Sequence, residues 1–76
     1  MQPRIEINPT IHFGKPFIAG TRITVENILE LVNDGVEFKR IINDYYTALT
    51  EEDIHACIQY AIDVLKAEEL HVAVSV

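Results

Sequence analysis

Gly14-Lys15-Pro16-Phe17-Ile18-Ala19-Gly20-Thr21-Arg22-Ile23-Thr24-Val25 is the stretch from which the rest of the chain is read. Gly14-Lys15-Pro16 is a turn signal between two short apolar runs, Ile11-His12-Phe13 and Phe17-Ile18-Ala19, and this pattern predicts a hairpin. Proline 16 has no N–H to donate, so its arm should begin at a sheet edge. A second tight turn is expected at Gly20-Thr21, after which Ile23 points back inward. Thr24 is a suitable N-cap, and Val25, Ile28, Leu29 and Val32 follow the i, i+3, i+4, i+7 rule. The stretch therefore marks a passage from β arm to helix.

Working outward, Arg4-Ile5-Glu6-Ile7 alternates polar and apolar residues as a half-buried strand does, until Asn8-Pro9 breaks it. The first helix should end at Asn33-Asp34-Gly35, with glycine in the left-handed C-terminal position. A second helix is expected from Glu37 to about Tyr45, carrying Phe38, Ile41, Ile42 and Tyr45 on one stripe. The third is the clearest. Thr50 caps it, Asp53 can reach back in a capping-box arrangement, and Glu51, Glu52 and Asp53 complement the helix dipole. Ile54, Cys57, Ile58, Ala61, Ile62 and Leu65 then form an apolar face that fades near Glu68. In Leu70-His71-Val72-Ala73-Val74-Ser75-Val76, the alternation of Leu70, Val72, Val74 and Val76 reads as a strand. The expected fold is mainly α: three helices with a small N-terminal β-hairpin and a short C-terminal strand. One domain divides into a β arm (1–24), a three-helix bundle (25–67) and a β tail (68–76).

The 76 residues suffice for one domain with a small core, so self-association is expected to add burial. A single cysteine, Cys57, excludes an intrachain disulfide. With no cationic apolar leader and no apolar run of membrane-spanning length, a reducing, cytoplasmic setting fits best, with no membrane partner. The formal charge of −6 is unevenly spread. Residues 1–33 sum to zero, whereas residues 34–76 set Lys39, Arg40 and Lys66 against nine acids. A strong DNA binder shows a basic face, and here only the first 40 residues could build one.

The ordered set Gly14-Lys15-Pro16, Gly20-Thr21-Arg22-Ile23 and Val25 closely resembles the signature of a bacterial family, the domain of unknown function 433 family. The resemblance continues through Ile28-Leu29, Gly35, Ile41-Ile42, Asp44-Tyr45, Leu49-Thr50-Glu51-Glu52-Asp53-Ile54, Ala56 and Tyr60-Ala61. It implies a homeodomain-like helix-turn-helix bundle with a β arm. It also implies an antitoxin of a type II toxin–antitoxin system, whose partner is a PIN-like ribonuclease and which binds operator DNA. Tyr46 stands where the family commonly has proline, and the tail is short and β-like.

Chemistry-bearing residues are few. Cys57 lies on the core face and Ser75 in the tail, neither with a base nearby in sequence, so no catalytic residues are expected. Glu51, Glu52 and His55 share a helix face, but one histidine with two acids falls short of a metal site, and His12 and His71 read as surface residues. No metal or cofactor is expected. The glycines lack the Lys-Ser/Thr that a phosphate loop requires. Arg22 is expected to pair with Glu26 or a third-helix carboxylate. DNA contacts, where made, would come from Arg4, Lys15, Arg22, Lys39 and Arg40, and a partner or oligomer interface from Leu70, Val72, Val74 and Val76. The leading expectation is a non-catalytic antitoxin; the alternatives are an autonomous DNA-binding regulator and a structural oligomerisation module.

Overall fold

The computed structural model describes the backbone of residues 3–75 and the side chains of residues 3–69. It is mainly helical with a two-stranded antiparallel sheet. Strand β1 (Ile5–Glu6) pairs with β2 (Phe17–Ile18), Ile5 opposite Ile18 and Glu6 opposite Phe17. Helix α1 spans Val25–Asn33, α2 Phe38–Arg40, and α3 Glu51–Ser75. Residues Ile41–Tyr45 continue α2 as a wider coil, closed by the Tyr46 N–H donating to the Ile41 carbonyl at 2.8 Å.

The expected hairpin changes its first arm. Residues 11–13 do not pair with β2; Ile5–Glu6 does. The cause is local. The Asn8 carboxamide oxygen accepts from the Thr10 N–H (2.9 Å) and hydroxyl (2.8 Å), and the Asn8 carbonyl accepts from Ile11 N (3.0 Å). His12–Gly14 then coil left-handed, with φ of +53, +56 and +78. Gly14 N donates to Ile11 and Lys15 N to His12. These turns use the hydrogen bonds that a ladder would need.

The second turn forms as read. Thr21 N donates to Ile18 O at 3.0 Å, and Gly20 takes φ +76, which a side chain at that turn position would resist. The Thr21 hydroxyl donates to the same carbonyl (2.7 Å) and accepts from Ile23 N (3.0 Å). Ile18 N donates to Ile23 O, and Phe17 bridges Thr24, so β2 is paired on both sides.

The helix boundaries follow their caps. Thr24 Oγ1 accepts from Asn27 N at 3.2 Å. At the other end of α1, Val36 N donates to Leu31 O and Gly35 N to Val32 O with Gly35 at φ +82, a Schellman closure. Asp53 Oδ2 accepts from Thr50 N (2.9 Å) while Thr50 Oγ1 accepts from Asp53 N (3.3 Å), completing the reciprocal box. Ile28, Ile41, Ile54 and Cys57 are fully enclosed, packed with Ile5, Ile18, Val25, Leu49 and Ala56.

The C-terminal strand is overturned, and with it the β tail assigned to 68–76: α3 continues to Ser75. A strand needs a ladder partner, whereas a helix satisfies its backbone internally. No glycine or proline interrupts 51–75, and valine costs only a few tenths of a kcal/mol in a helix. The side chains of Leu70, Val72 and Val74, read from sequence as an interface, lie outside the described residues. Val76 lies outside the described residues. Among the described residues no helix is long and apolar enough to cross a membrane.

Candidate interaction surfaces

Of the five cations read as DNA contacts, Arg4, Lys15 and Arg40 are held by carboxylates. Arg4 clamps the arm to α3: Nη1 donates to Asp53 Oδ1 at 3.0 Å and Nη2 to Glu52 Oε2 at 2.6 Å. The Glu52 contact is largely in water and contributes little, whereas Asp53 is buried. Both Asp53 oxygens are used, one for the cap and one for the clamp. Burial alone would push this carboxyl up. The Thr50 N–H, the Arg4 and Thr50 side chains and the Arg4 charge outweigh it and hold it below the usual aspartate value.

Lys15 Nζ lies 3.5 Å from Glu26 Oε1, and Arg40 Nε lies 3.4 Å from Asp44 Oδ2 one turn along its helix. Arg22, expected to pair with Glu26 or an α3 carboxylate, pairs with neither among the described residues; Lys15 pairs with Glu26, and Arg4 with Glu52 and Asp53 of α3. Among the described residues, Arg22 and Lys39 have no carboxylate within 4 Å. Cys57 is buried, and that burial, reinforced by the nearby Asp53 charge, pushes its thiol up to about 11, leaving almost no thiolate at neutral pH. His55 stands edge-on to Phe38, ring centroids 5.1 Å apart.

Two apolar features stand where the sequence singled out no site. The first is the tip of the arm. Phe13 is 100% exposed, with Ile11 and Ile7 exposed beside it in the chain. His12 and Phe13 both hold the left-handed conformation, which costs a non-glycine residue roughly 1 kcal/mol. The His12 ring lies against buried Phe17, centroids 5.5 Å apart, and its buried Nε2 has no hydrogen-bond partner. A cleft of about 800 Å³ beside it is lined by Thr10, His12, Phe17 and Arg22.

The second feature is an apolar groove of about 530 Å³ between α1 and the outer half of α3. Pro16, Val25, Leu29, Tyr60, Val64 and Leu65 line it, with charged Lys15, Glu26 and Glu30. On another side of α3, Ile58 and Ile62 line a smaller cleft with Arg4, Glu52 and His55. The apolar band on α3 is thus wider than the body can cover. The signal in the sequence was Val64 beside Leu65 and Tyr60 beside Ala61, which broaden the stripe beyond a single core-facing seam.

A family model described as "Protein of unknown function (DUF433)" matches residues 5–61, most of the chain. No curated protein and no solved structure matches.

Proposed function

The chain belongs to the DUF433 family, and we propose that it is a non-catalytic, antitoxin-like binding protein that holds a basic nuclease partner through the outer half of α3. One observation carries this reading: α3 continues beyond its core-packed turns with Ile62, Val64 and Leu65 exposed. A projecting amphipathic helix is a common docking element, its apolar residues filling a partner's groove. Asp63, Glu68 and Glu69 flank those residues, and the chain as a whole carries −6. A nuclease of the PIN-like class must present a basic groove to hold phosphates. An acidic helix is complementary to it and accelerates encounter.

The helix-turn-helix reading of the bundle puts α3 in the recognition position. Its first turn carries Glu51, Glu52 and Asp53, which repel phosphates. With Arg4, Lys15 and Arg40 each held by carboxylates, the protein partner is favoured over operator DNA.

The test is co-expression with the product of the adjacent gene, followed by capture and a ribonuclease assay. Co-purification and loss of nuclease activity are expected, with Ile62→Asp weakening capture by about tenfold or more, as an anchor at an interface centre does. Absence of the nuclease from the captured material would overturn the proposal.

A further inference from the structure

The chain carries a protruding apolar side chain and an apolar groove within reach of each other, and nothing in its own fold brings them together. Phe13 is fully exposed at the arm tip, three residues before Pro16, which lines the groove. Three residues of chain span at most about 11 Å, so the Phe13 backbone lies within that distance of the groove's Pro16. The ring nevertheless leaves its own groove unfilled. The two left-handed residues His12 and Phe13 hold it outward, a strained conformation that local burial does not repay.

We infer that Phe13 of each chain docks in the α1–α3 groove of a second copy, forming a reciprocal two-fold dimer. A knob and a groove close together on one chain supply the self-complementarity that a reciprocal pairing uses. The groove offers Tyr60 for an edge-on contact with the phenyl ring and Leu29, Val64 and Leu65 for its faces. Charge agrees. Between Ile7 and Val25 the arm has no Asp or Glu, and its Arg22 has no carboxylate within 4 Å among the described residues. The groove's Glu30 likewise has no cation within that distance among the described residues. The proposed dimer would pair this arm cation, which lines the cleft beside Glu6, with this groove acid.

Two phenyl rings at roughly 200 Å² each, with matching groove walls, bury about 800 Å² before flanking contacts are added. That is below the roughly 1,200–2,000 Å² of stable specific interfaces, so the dimer is weak, reversible and concentration-dependent. It shares Val64 and Leu65 with the nuclease reading but not Ile62, which lines a different cleft.

Analytical ultracentrifugation of the full chain over a concentration series tests it. The mass should rise toward two chains, and Phe13→Ser and Val64→Asp should each weaken association by at least about tenfold. Both side chains are exposed, and circular dichroism checks that each variant keeps its helices. Arg22→Glu and Glu30→Arg should each weaken the dimer, and the double variant should recover it. Ile62→Asp should lose nuclease capture while leaving the mass series unchanged, so the two readings fail separately. A one-chain mass at every concentration would overturn the inference, as would a two-chain mass indifferent to Phe13→Ser. A one-chain mass with binding of a short DNA duplex that Phe13→Ser abolishes would reassign the arm to nucleic acid.

Discussion

The two halves of α3 have the same apolar spacing and opposite surroundings. Ile54 and Cys57, in the first half, are 0% exposed; Ile62 and Leu65, at equivalent spacings further on, are 38% and 59% exposed. The first half is covered by α1, α2 and β1 and locked by the Thr50–Asp53 box and the Arg4 clamp. In the second half the same stripe runs on past the covering elements. Periodicity marks where a helix can bury a face; the lengths of the neighbouring elements decide how far that burial extends. An apolar face longer than its cover is a surface for something else.

The comparison is broken most forcefully by truncating one residue in each half. Ile54→Ala should cost about 3 kcal/mol, combining lost transfer energy with the cavity left in an enclosed site. For so small a domain that is a large share of total stability. Leu65→Ala should stay within about 0.5 kcal/mol in the isolated chain, since little burial is lost and alanine favours helix. Urea unfolding followed by circular dichroism measures both. An equal cost at the two positions would mean that the outer half is covered in the isolated chain after all.

Asp53 sharpens the comparison from the polar side, because it joins cap and clamp at the end of α3 that is fixed. Asp53→Ala should cost about 2 kcal/mol: the N-cap partner of Thr50 is lost and Arg4 is released. Its carboxyl sits below the ordinary value near 3.9, so the unfolded chain binds the proton more readily than the folded one. The stabilisation is therefore complete above that unfolded value and is lost as the pH falls through the lower, folded one. Thermal melts from pH 7 to pH 3 should show this acid sensitivity, and Asp53→Asn should flatten it. A curve unchanged by Asp53→Asn would place the acid sensitivity on other carboxylates.

What the sequence made legible was governed by contacts a few residues apart. Thr24, Thr50 with Asp53, and Gly35 each set a helix boundary by a bond to a near neighbour, and each forms as read. The family resemblance is sound for the same reason: its ordered residues lie within 5–61. What was misread depends on competition at a distance. Residues 11–13 have strand composition, but Asn8 captures their backbone first, leaving β2 to Ile5–Glu6. Leu70 to Val76 alternates like a strand, yet the helix, which satisfies its backbone internally, continues to Ser75. Arg22 has no carboxylate within 4 Å among the described residues, and Glu26 pairs with Lys15 instead. The groove was hidden because exposure of Val64 and Leu65 depends on how α1 packs beside α3, which no spacing within α3 encodes.

The smallest effect separates the arm tip from both halves of α3 by its sign. Phe13 is fully exposed, so removing its ring forfeits no burial within the chain. Its φ of +56 is a conformation glycine adopts at no steric cost. Against that gain of roughly 1 kcal/mol stands the greater freedom a glycine recovers on unfolding, leaving a net stabilisation of about 0.5 kcal/mol for Phe13→Gly. For a chain of this size that is a rise of roughly 2–4 °C in Tm. Phe13→Ala keeps the Cβ and hence the strain, and should leave Tm nearly unmoved, so the pair isolates backbone conformation from loss of the ring. Both substitutions should abolish the concentration-dependent mass increase, giving a variant that is more stable as a monomer and deficient in self-association. A fall in the Tm of Phe13→Gly comparable to that of Ile54→Ala, measured on dilute monomer, would show that the ring packs within its own chain and would remove the physical reason for seeking its partner elsewhere.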